Sequence, residues 1–394
     1  MKIRTTYSLV VIFTCFLFPL VSSAQDSTSL KTRPFQITFI TPLGTNGLEA
    51  WNIRNRFSVN ILAGYSGGLD GAEFSGLFSL LRKEMRGVQF AGLGNIVLKN
   101  CHGAQFAGYA NTVIGSVNGI QVAGFSNVGI GSANGAQFSG FGNIITQAMS
   151  GMQVAGYVNY ARGGKVSQLG GFANISTADQ KGFQLAGYLN LNSGNMKGAQ
   201  IAGFFNFARK LSGIQIAPFN YTDSLEKGIP IGVFSVVRNG YHAVELSANE
   251  SLFGVLSVKS GVKPFYNILS SGIAYRNDEI IWGWGYGLGG MFPVSSRWDL
   301  AVEGLCYQVN EGEWFTDRLN LLNKINLDAS VSLSSHVSLI AGLSWNVTVS
   351  DITDEYGETV ESHIAPFWVM NETYDDRINV KMYPGANLGL SFKF

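Results

Sequence analysis

Charged residues are scarce in this sequence, and over one long interval they are missing altogether. Asp, Glu, Lys and Arg make up 13% of the 394 residues, and none of them occurs from Asn100 to Ala161. A repeat surface bathed in water normally carries charges, so we expect a membrane, a partner chain or another part of this protein to cover this interval. The net charge of +1 offers no basic face for nucleic acid, which we exclude as a partner.

Long apolar runs are missing beyond the N-terminus, which excludes a helical membrane anchor there. The first 24 residues instead have the features of a secretory signal peptide. Lys2 and Arg4 form a charged start, Leu9 to Val21 is apolar, and small residues at 22–24 precede a predicted cleavage site. Cys15 lies inside the apolar run without a small residue before it, so lipidation is not favoured. Cysteine is otherwise limited to Cys101 and Cys306, far apart, and no pairing is indicated.

The sequence is rich in glycine, with 49 residues, and contains one repeated sequence motif. From Gly71 to about Ser235 the pattern Gly-x-Gln-apolar-Ala-Gly-aromatic-x-Asn recurs with its glutamines 15 or 16 residues apart. Self-similarity at so short a period indicates units that cannot close a core alone and stack on their neighbours. The glutamines are Gln89, Gln105, Gln121, Gln137, Gln153, Gln168, Gln184, Gln200 and Gln215, and the clearest asparagines are Asn95, Asn111, Asn127, Asn143, Asn159, Asn190 and Asn206.

Each repeat unit is predicted to be a β-strand, because a helix would contain glycine in every copy at a cost of about 1 kcal/mol each. Period-two alternation then places Gln105, Tyr109 and Asn111 on one face of their strand. Two all-β arrangements stay open. In the favoured one, ten to eleven coils form a β-solenoid in which the glutamines and asparagines stack as ladders. In the other, each unit is one strand of a single large up-and-down transmembrane β-barrel.

The chain divides into a signal peptide at 1–24, a lead-in with two early strands at 25–70, the repeats at 71–238 and a different region at 239–394. In that last region, long strands alternate apolar and polar residues, as in 323–333 and 337–349. Transmembrane β-strands need about 9–11 residues with one lipid face and one lumen face, so an antiparallel β-barrel-like region is predicted. Lys324, Asp328 and Lys393 are then expected to face the lumen.

Two resemblances follow from these patterns. The terminal sequence 389–394, which ends on Phe394, resembles the closing strand of Gram-negative outer-membrane β-barrels. The repeats resemble the Gly-x-Gln-x-x-Gly-x-x-Asn surface repeats of uncharacterised envelope proteins from Bacteroidota-type and spirochaete bacteria. The resemblance implies a location in the outer membrane or at the cell surface and no chemistry. It implies outer-membrane lipid as a partner. The uncharged repeat face separately leaves open another envelope protein or a second copy of this chain as a further partner.

No catalytic constellation emerges from the sequence, and we expect neither enzymatic activity nor a cofactor. The four histidines, His102, His242, His336 and His363, are scattered, and the glycines at 283–290 lie within a strand rather than before a helix. A loop with Asp351, Asp354, Glu355 and Glu358 is a weak candidate for Ca²⁺, with a solvated acidic loop favoured. Three hypotheses remain: a structural or interaction protein of the envelope, a pore, and a secreted enzyme.

Replacing Asn127 and Asn143 together by Asp tests the ladder hypothesis. In a stack these positions lie about 4.8 Å apart, so two carboxylates repel each other there and the thermal unfolding midpoint at neutral pH should fall. An unchanged midpoint would mean that the two positions are not neighbours.

Overall fold

The computed structural model describes residues 29–312, 314–351 and 362–394, and the predicted signal peptide lies outside these ranges. The all-β prediction is confirmed, since 75% of the chain is in strands and 2% in helix. The fold combines a parallel β-solenoid of about 12 coils with a closed antiparallel barrel of eight strands. Among the described residues, no helix is long and apolar enough to cross a membrane.

The solenoid contains twenty strands and one short 3-10 helix, Gly47–Asn52. Its parallel stack begins upstream of the predicted repeat region, because Lys31–Ile40 already pairs in parallel with Ile53–Ser66. The strands are β1 Lys31–Ile40, β2 Leu43–Gly44, β3 Ile53–Ser66, β4 Gly68–Ser75, β5 Phe78–Leu81, β6 Met85–Ala91, β7 Gly94–Val97, β8 Cys101–Ala107, β9 Ala110–Val113, β10 Val117–Ala123, β11 Ser126–Gly129, β12 Ala133–Ser139, β13 Gly142–Ala155, β14 Val158–Gly170, β15 Ala173–Ser176, β16 Gln180–Ala186, β17 Leu189–Ala202, β18 Phe205–Ile216, β19 Phe219–Ile231 and β20 Phe234–Val237.

Every repeat forms one coil, and each coil pairs in parallel with the next, in register except at local shifts such as those after Ile145 and Asn192. In β8 and β10, for example, Gly103, Gln105 and Ala107 lie opposite Gly119, Gln121 and Ala123. Parallel pairing of neighbouring repeats rules out the alternative of one large up-and-down barrel, in which neighbouring strands run in opposite directions. Identical residues therefore form continuous columns along the stack.

The period-two prediction for Tyr109 is wrong. Gln105 and Asn111 both point inward and are fully buried, but Tyr109 points outward and is 48% exposed. The strand β8 ends at Ala107 and β9 begins at Ala110, so the chain turns a corner at residues 108–109. The alternation of inward and outward side chains restarts in β9 after the corner. The inward residues of β9, such as Asn111, form a second buried column.

Glycine is required where two coils approach closely. Gly119 has a φ of 142°, and a Cβ added to it would lie 1.9 Å from the carbonyl oxygen of Gly103 in the preceding coil. At the corner, a Cβ on Gly124 would lie 2.1 Å from the carbonyl oxygen of Gly108. The two glycine columns thus allow backbone-to-backbone contact along the length of the solenoid.

The barrel follows after a short connection at 238–240. Its strands are β21 Tyr241–Asn249, β22 Gly254–Val262, β23 Phe265–Arg276, β24 Glu279–Pro293, β25 Trp298–Glu311, β26 Asn320–Ser332, β27 Val337–Asp351, β28 Met370–Tyr374 and β29 Ile378–Lys393. From β21 to β27 consecutive strands pair antiparallel, and β29 closes the barrel by pairing with both β27 and β21. Strand β28 pairs only with β29 and extends the β27–β29 hairpin beyond the rim.

The solenoid ends on the outer wall of the barrel. Asn267 of β23 points out of the wall, accepts a hydrogen bond from the backbone N–H of Ser235 at 2.7 Å, and donates to the carbonyl oxygens of Gly232 and Val233. The hydroxyl of Tyr286 also donates to Val233. One barrel side chain therefore takes the place that the next coil would occupy, and the open end of the stack is capped by the wall.

Replacing Gly124 by Ala tests the close approach at the corner. The added methyl group meets a backbone oxygen that cannot move aside, so we expect a loss of about 1–3 kcal/mol in the free energy of unfolding, measured by thermal or urea denaturation. Ser126→Ala in the same coil is the matched control, because Ala110 already occupies the equivalent position in the preceding coil. Equal stability of the two variants would contradict a tight corner.

Candidate functional site: polar ladders, barrel lumen and apolar outer surface

A ladder of buried glutamines runs through the solenoid. Each glutamine donates from Nε2 to Oε1 of the glutamine one coil earlier, at 2.7–2.9 Å, from Gln105 onto Gln89 through to Gln215 onto Gln200. All of these glutamines are at most 1% exposed. A buried amide without a partner costs about 1–3 kcal/mol, and the ladder removes that cost at every rung but the ends.

A second ladder of asparagines runs beside it in the opposite sense. Each asparagine donates from Nδ2 to Oδ1 of the asparagine one coil later, at 2.9–3.0 Å, from Asn95 onto Asn111 through to Asn206 onto Asn220. Asn174 and Asn220 belong to this ladder, although the sequence pattern did not single them out. Since the amide groups of the two ladders point in opposite directions, their dipoles oppose one another.

The glutamine ladder begins on a buried carboxyl group. Glu73 lies in register with Gln89 and is 1% exposed. Its Oε1 accepts hydrogen bonds from the Ser79 hydroxyl at 2.5 Å and from Asn60 Nδ2 at 2.8 Å, while Gln89 donates to Ser79. Burial raises the pKa of Glu73 to about 7, against the lowering effect of these donors. Glu73 thus occupies the glutamine position at one end of the column, and Pro230 occupies it at the other end.

The barrel lumen contains a buried ionic cluster. Lys259 lies 2.6 Å from a carboxylate oxygen of Glu245 and 2.5 Å from one of Glu303, and the Tyr266 hydroxyl donates to Glu303 at 2.6 Å. A second pair joins Lys324 to Glu250 at 2.8 Å. Lys324 and Asp328 lie in the lumen, as the alternation predicted, and each is 3% exposed. Lys393 shares the inward face of β29 but lies at the rim.

Side chains fill the lumen rather than line a channel. The cavity among Glu245, Glu303, Lys324 and Asp328 has a volume of about 20 Å³. That is room for about one water molecule, since a site of roughly 10–15 Å³ is the minimum for one. Barrels of eight strands are narrow enough for their own side chains to occupy the interior.

The outer wall of the barrel is apolar. On β26 and β27, Ile325 is 62% exposed, Leu327 50% and Leu343 68%, while their neighbours Lys324, Asp328 and Ser344 point inward and are buried. The wall also carries Trp284 and Leu288 of β24. This distribution is the reverse of that in a water-soluble protein, where charges face outward.

The solenoid also carries an apolar outer surface, and its corner bears a stack of aromatic rings that we call the aromatic edge. From Tyr109 to Phe204 consecutive ring centroids are 4.8–5.1 Å apart, with planes within 2–12° of parallel. The aromatic edge comprises Tyr109, Phe125, Phe141, Tyr157, Phe172, Tyr188, Phe204, Phe219 and Phe234. The regular spacing of the aromatic position within the repeat pattern predicts this stack. Period-two alternation alone, however, assigns Tyr109, the first ring of the stack, to the interior.

The other residues singled out from the sequence do not form a site. The candidate Ca²⁺ ligands Asp354, Glu355 and Glu358 lie outside the described residues, and Asp351 pairs with Arg377 at 2.7 Å. Among the described residues, no group of three His, Cys, Asp or Glu side chains could hold a metal ion. Cys101 is buried in the solenoid and Cys306 is exposed on the barrel, and both are free thiols.

Comparison of the chain with protein-family models, with curated proteins and with solved structures finds no match.

Glu73 predicts a pH dependence that a substitution can remove. The folded state holds the Glu73 proton up to a pKa of about 7, whereas the ordinary value is 4.5. The folded form therefore binds the proton more tightly, and stability falls as pH rises from about 4.5 to about 7, by on the order of 3 kcal/mol.

Glu73→Gln supplies the amide that later rungs use, so this variant should be more stable than the wild type at pH 8 and equal to it near pH 4.5. Glu49→Gln, at an exposed carboxylate, is the control. Thermal midpoints measured by circular dichroism from pH 4 to pH 8 decide the matter. Parallel pH profiles for wild type and Glu73→Gln would contradict a proton on Glu73.

Proposed function

We propose that this chain is a non-enzymatic protein of a bacterial outer membrane, in which the barrel is the anchor and the solenoid is a structural or interaction module. The observation that carries the proposal is the inverted polarity of the barrel, with Leu343 and Ile325 exposed on the wall and Lys259, Glu245 and Glu303 buried in the lumen. A wall of this kind is stable only against hydrocarbon, and a closed barrel leaves no unpaired strand edge in the bilayer.

The N-terminal signal-like segment agrees with export, and the strand lengths agree with a bilayer. Strands β24 to β27 have 13–15 residues each, enough for a tilted transmembrane β-strand of about 9–11 residues with short extensions at the rims. The turns 263–264, 294–297 and 333–336 share one rim with the entry of the chain at Tyr241. Short turns are typical of the periplasmic rim, so we place the solenoid on the periplasmic side.

The filled lumen favours an anchor over a pore. A conducting pathway needs a continuous water column, whereas the cavity among the buried charges is about 20 Å³, and Lys259 bridges Glu245 and Glu303 inside the lumen. The same packing leaves no room for a substrate beside these ionisable groups. Within the part of the barrel that the structure describes, this packing favours the anchor, and we expect no single-channel conductance in planar bilayers.

A pair of matched substitutions tests the anchor. Leu343 lies at the middle of β27, and Leu333 lies in the turn before it; both are exposed leucines, at 68% and 63%. An arginine at the bilayer midplane costs about 2–4 kcal/mol and one near the interface about 0–1 kcal/mol. Leu343→Arg should therefore impair insertion into phospholipid vesicles, and Leu333→Arg should insert like the wild type.

Insertion is measured as the fraction of protein that floats with the vesicles and keeps the heat-modifiable migration of a folded barrel in detergent gels. On a protein that exposes its barrel to water, both arginines would be harmless surface changes. Equal behaviour of the two variants, or steady conductance by the wild type, would overturn the proposal.

A further inference from the structure

The solenoid is amphipathic in cross-section. In the coil that contains Gln137, the outward side chains change from Asn134 at one corner, through Ala136 and Phe138, to Phe141 at the opposite corner. The same order holds in later coils, where the position of Asn134 is occupied by Lys165, Lys181, Lys197 and Lys227. The cross-section of the solenoid thus has the aromatic edge at one corner and a polar, partly basic corner opposite.

The rings of the aromatic edge cover one another. Neighbouring rings stack face to face at 4.8–5.1 Å, so each ring in the middle of the edge exposes only its rim and not its face. A sugar or a nucleobase binds an aromatic residue through the face of the ring. The aromatic edge is therefore a continuous apolar strip suited to a fluid apolar medium rather than to a stacked ligand.

This apolar strip continues onto the wall of the barrel. Phe234, the last ring of the edge, lies 5.7 Å from the ring of Tyr286. Tyr286 is on the outer face of β24 between Trp284 and Leu288, which are 55% and 40% exposed and belong to the apolar wall. Since the stack of coils ends against this side wall, the solenoid extends sideways from the barrel, and its aromatic edge starts at a depth within the apolar band.

We propose that the solenoid is itself seated in one leaflet of the membrane, with its aromatic edge in the hydrocarbon and its polar corner at the phospholipid headgroups. This inference rests on the proposed function, because it takes the barrel to be in a bilayer. It also accounts for the uncharged interval from Asn100 to Ala161, which nothing in the described part of the chain covers.

The depth of the apolar strand face of the solenoid matches the thickness of the hydrocarbon in one leaflet. From Ala136 to Gly140 the strand face advances four residues, about 13 Å at 3.3 Å per residue. Half of a hydrocarbon core about 30 Å thick is roughly 15 Å. The apolar face is therefore about as deep as one leaflet and too shallow to span the bilayer.

Charge complements this placement. Residues 71–238 contain 12 Lys and Arg against 5 Asp and Glu, whereas residues 239–394 contain 9 against 18. Basic residues beside an anionic phospholipid surface gain about 1 kcal/mol each, and lysine can bury its stem while its ammonium group reaches the headgroups. The basic corner of the solenoid thus suits an anionic leaflet.

The backbone at the aromatic edge tolerates hydrocarbon. At the corner, Tyr109 N–H donates to the Leu93 carbonyl and Phe125 N–H donates to the Tyr109 carbonyl, at 2.9 and 2.8 Å. The next coil repeats the bond, with Phe141 donating to Phe125 at 2.9 Å. Polar backbone groups that are paired in this way avoid the cost of several kcal/mol that an unpaired group incurs in lipid.

Fluorescence depth measurements on the full chain test the inference. The three native cysteines are replaced, and single cysteines are introduced by Phe141→Cys at the aromatic edge, Asn134→Cys at the polar corner of the same coil, and Leu343→Cys on the barrel wall. Each is labelled with an environment-sensitive dye and reconstituted in vesicles of phosphatidylethanolamine and phosphatidylglycerol. Quenching by a nitroxide on the lipid acyl chain is compared with quenching by aqueous cobalt(II).

The acyl-chain nitroxide should quench the dye at position 141 at least about twofold more than the dye at position 134, with the reverse order for cobalt(II). Quenching at 343 but not at 141 would overturn the inference and leave the barrel anchor intact. Absence of nitroxide quenching at both 141 and 343 would overturn this inference and the proposed barrel anchor together. Protection of position 141 from cobalt(II) that grows with protein density, without nitroxide quenching, would assign the edge to a second copy and also overturn the inference.

Discussion

A buried amide must be hydrogen-bonded, and the solenoid depends on this constraint. Its interior holds a glutamine and an asparagine in almost every coil, each fully or almost fully buried. When identical residues of successive coils lie directly above one another, each amide bonds the next, and only groups at the ladder ends such as Asn95 Oδ1 and Gln215 Oε1 are left over. The constraint therefore fixes the register of the whole stack, because a slip by one residue would point every amide outward.

Both modules bury polar groups beside an apolar core and expose apolar side chains on their outer surfaces. Apart from Glu73, the buried polar groups of the solenoid ladders are neutral amides, whereas those of the barrel include the ionic cluster of Lys259, Glu245 and Glu303. A buried ion pair with complementary partners is stable, but breaking it leaves a charge at high cost. Polar groups thus hold each module together from within, and the outer surfaces are left free to contact an apolar medium.

The contact between the last coils of the solenoid and the barrel wall joins the apolar outer surfaces of the two modules. Asn267 replaces the next coil for the hydrogen bonds of Ser235, Gly232 and Val233, and Tyr286 extends the row of rings from Phe234. A flexible tether would have served to connect two independent domains. The capped and continuous contact instead fixes the depth of the solenoid relative to the barrel wall.

The sequence by itself determined the period of the repeat, the strand character of its units, the glutamine and asparagine columns and the lumen positions of Lys324 and Asp328. These follow from local rules, since glycine spacing and period-two alternation are visible in any one stretch of chain. Only the tertiary structure decided that Tyr109 faces outward, because the corner at 108–109 resets the alternation. It also decided that Lys31–Ile40 belongs to the stack, that β29 closes on β21, and that the stack ends at Asn267. These contacts join residues far apart in sequence, and no local pattern encodes which of them meet.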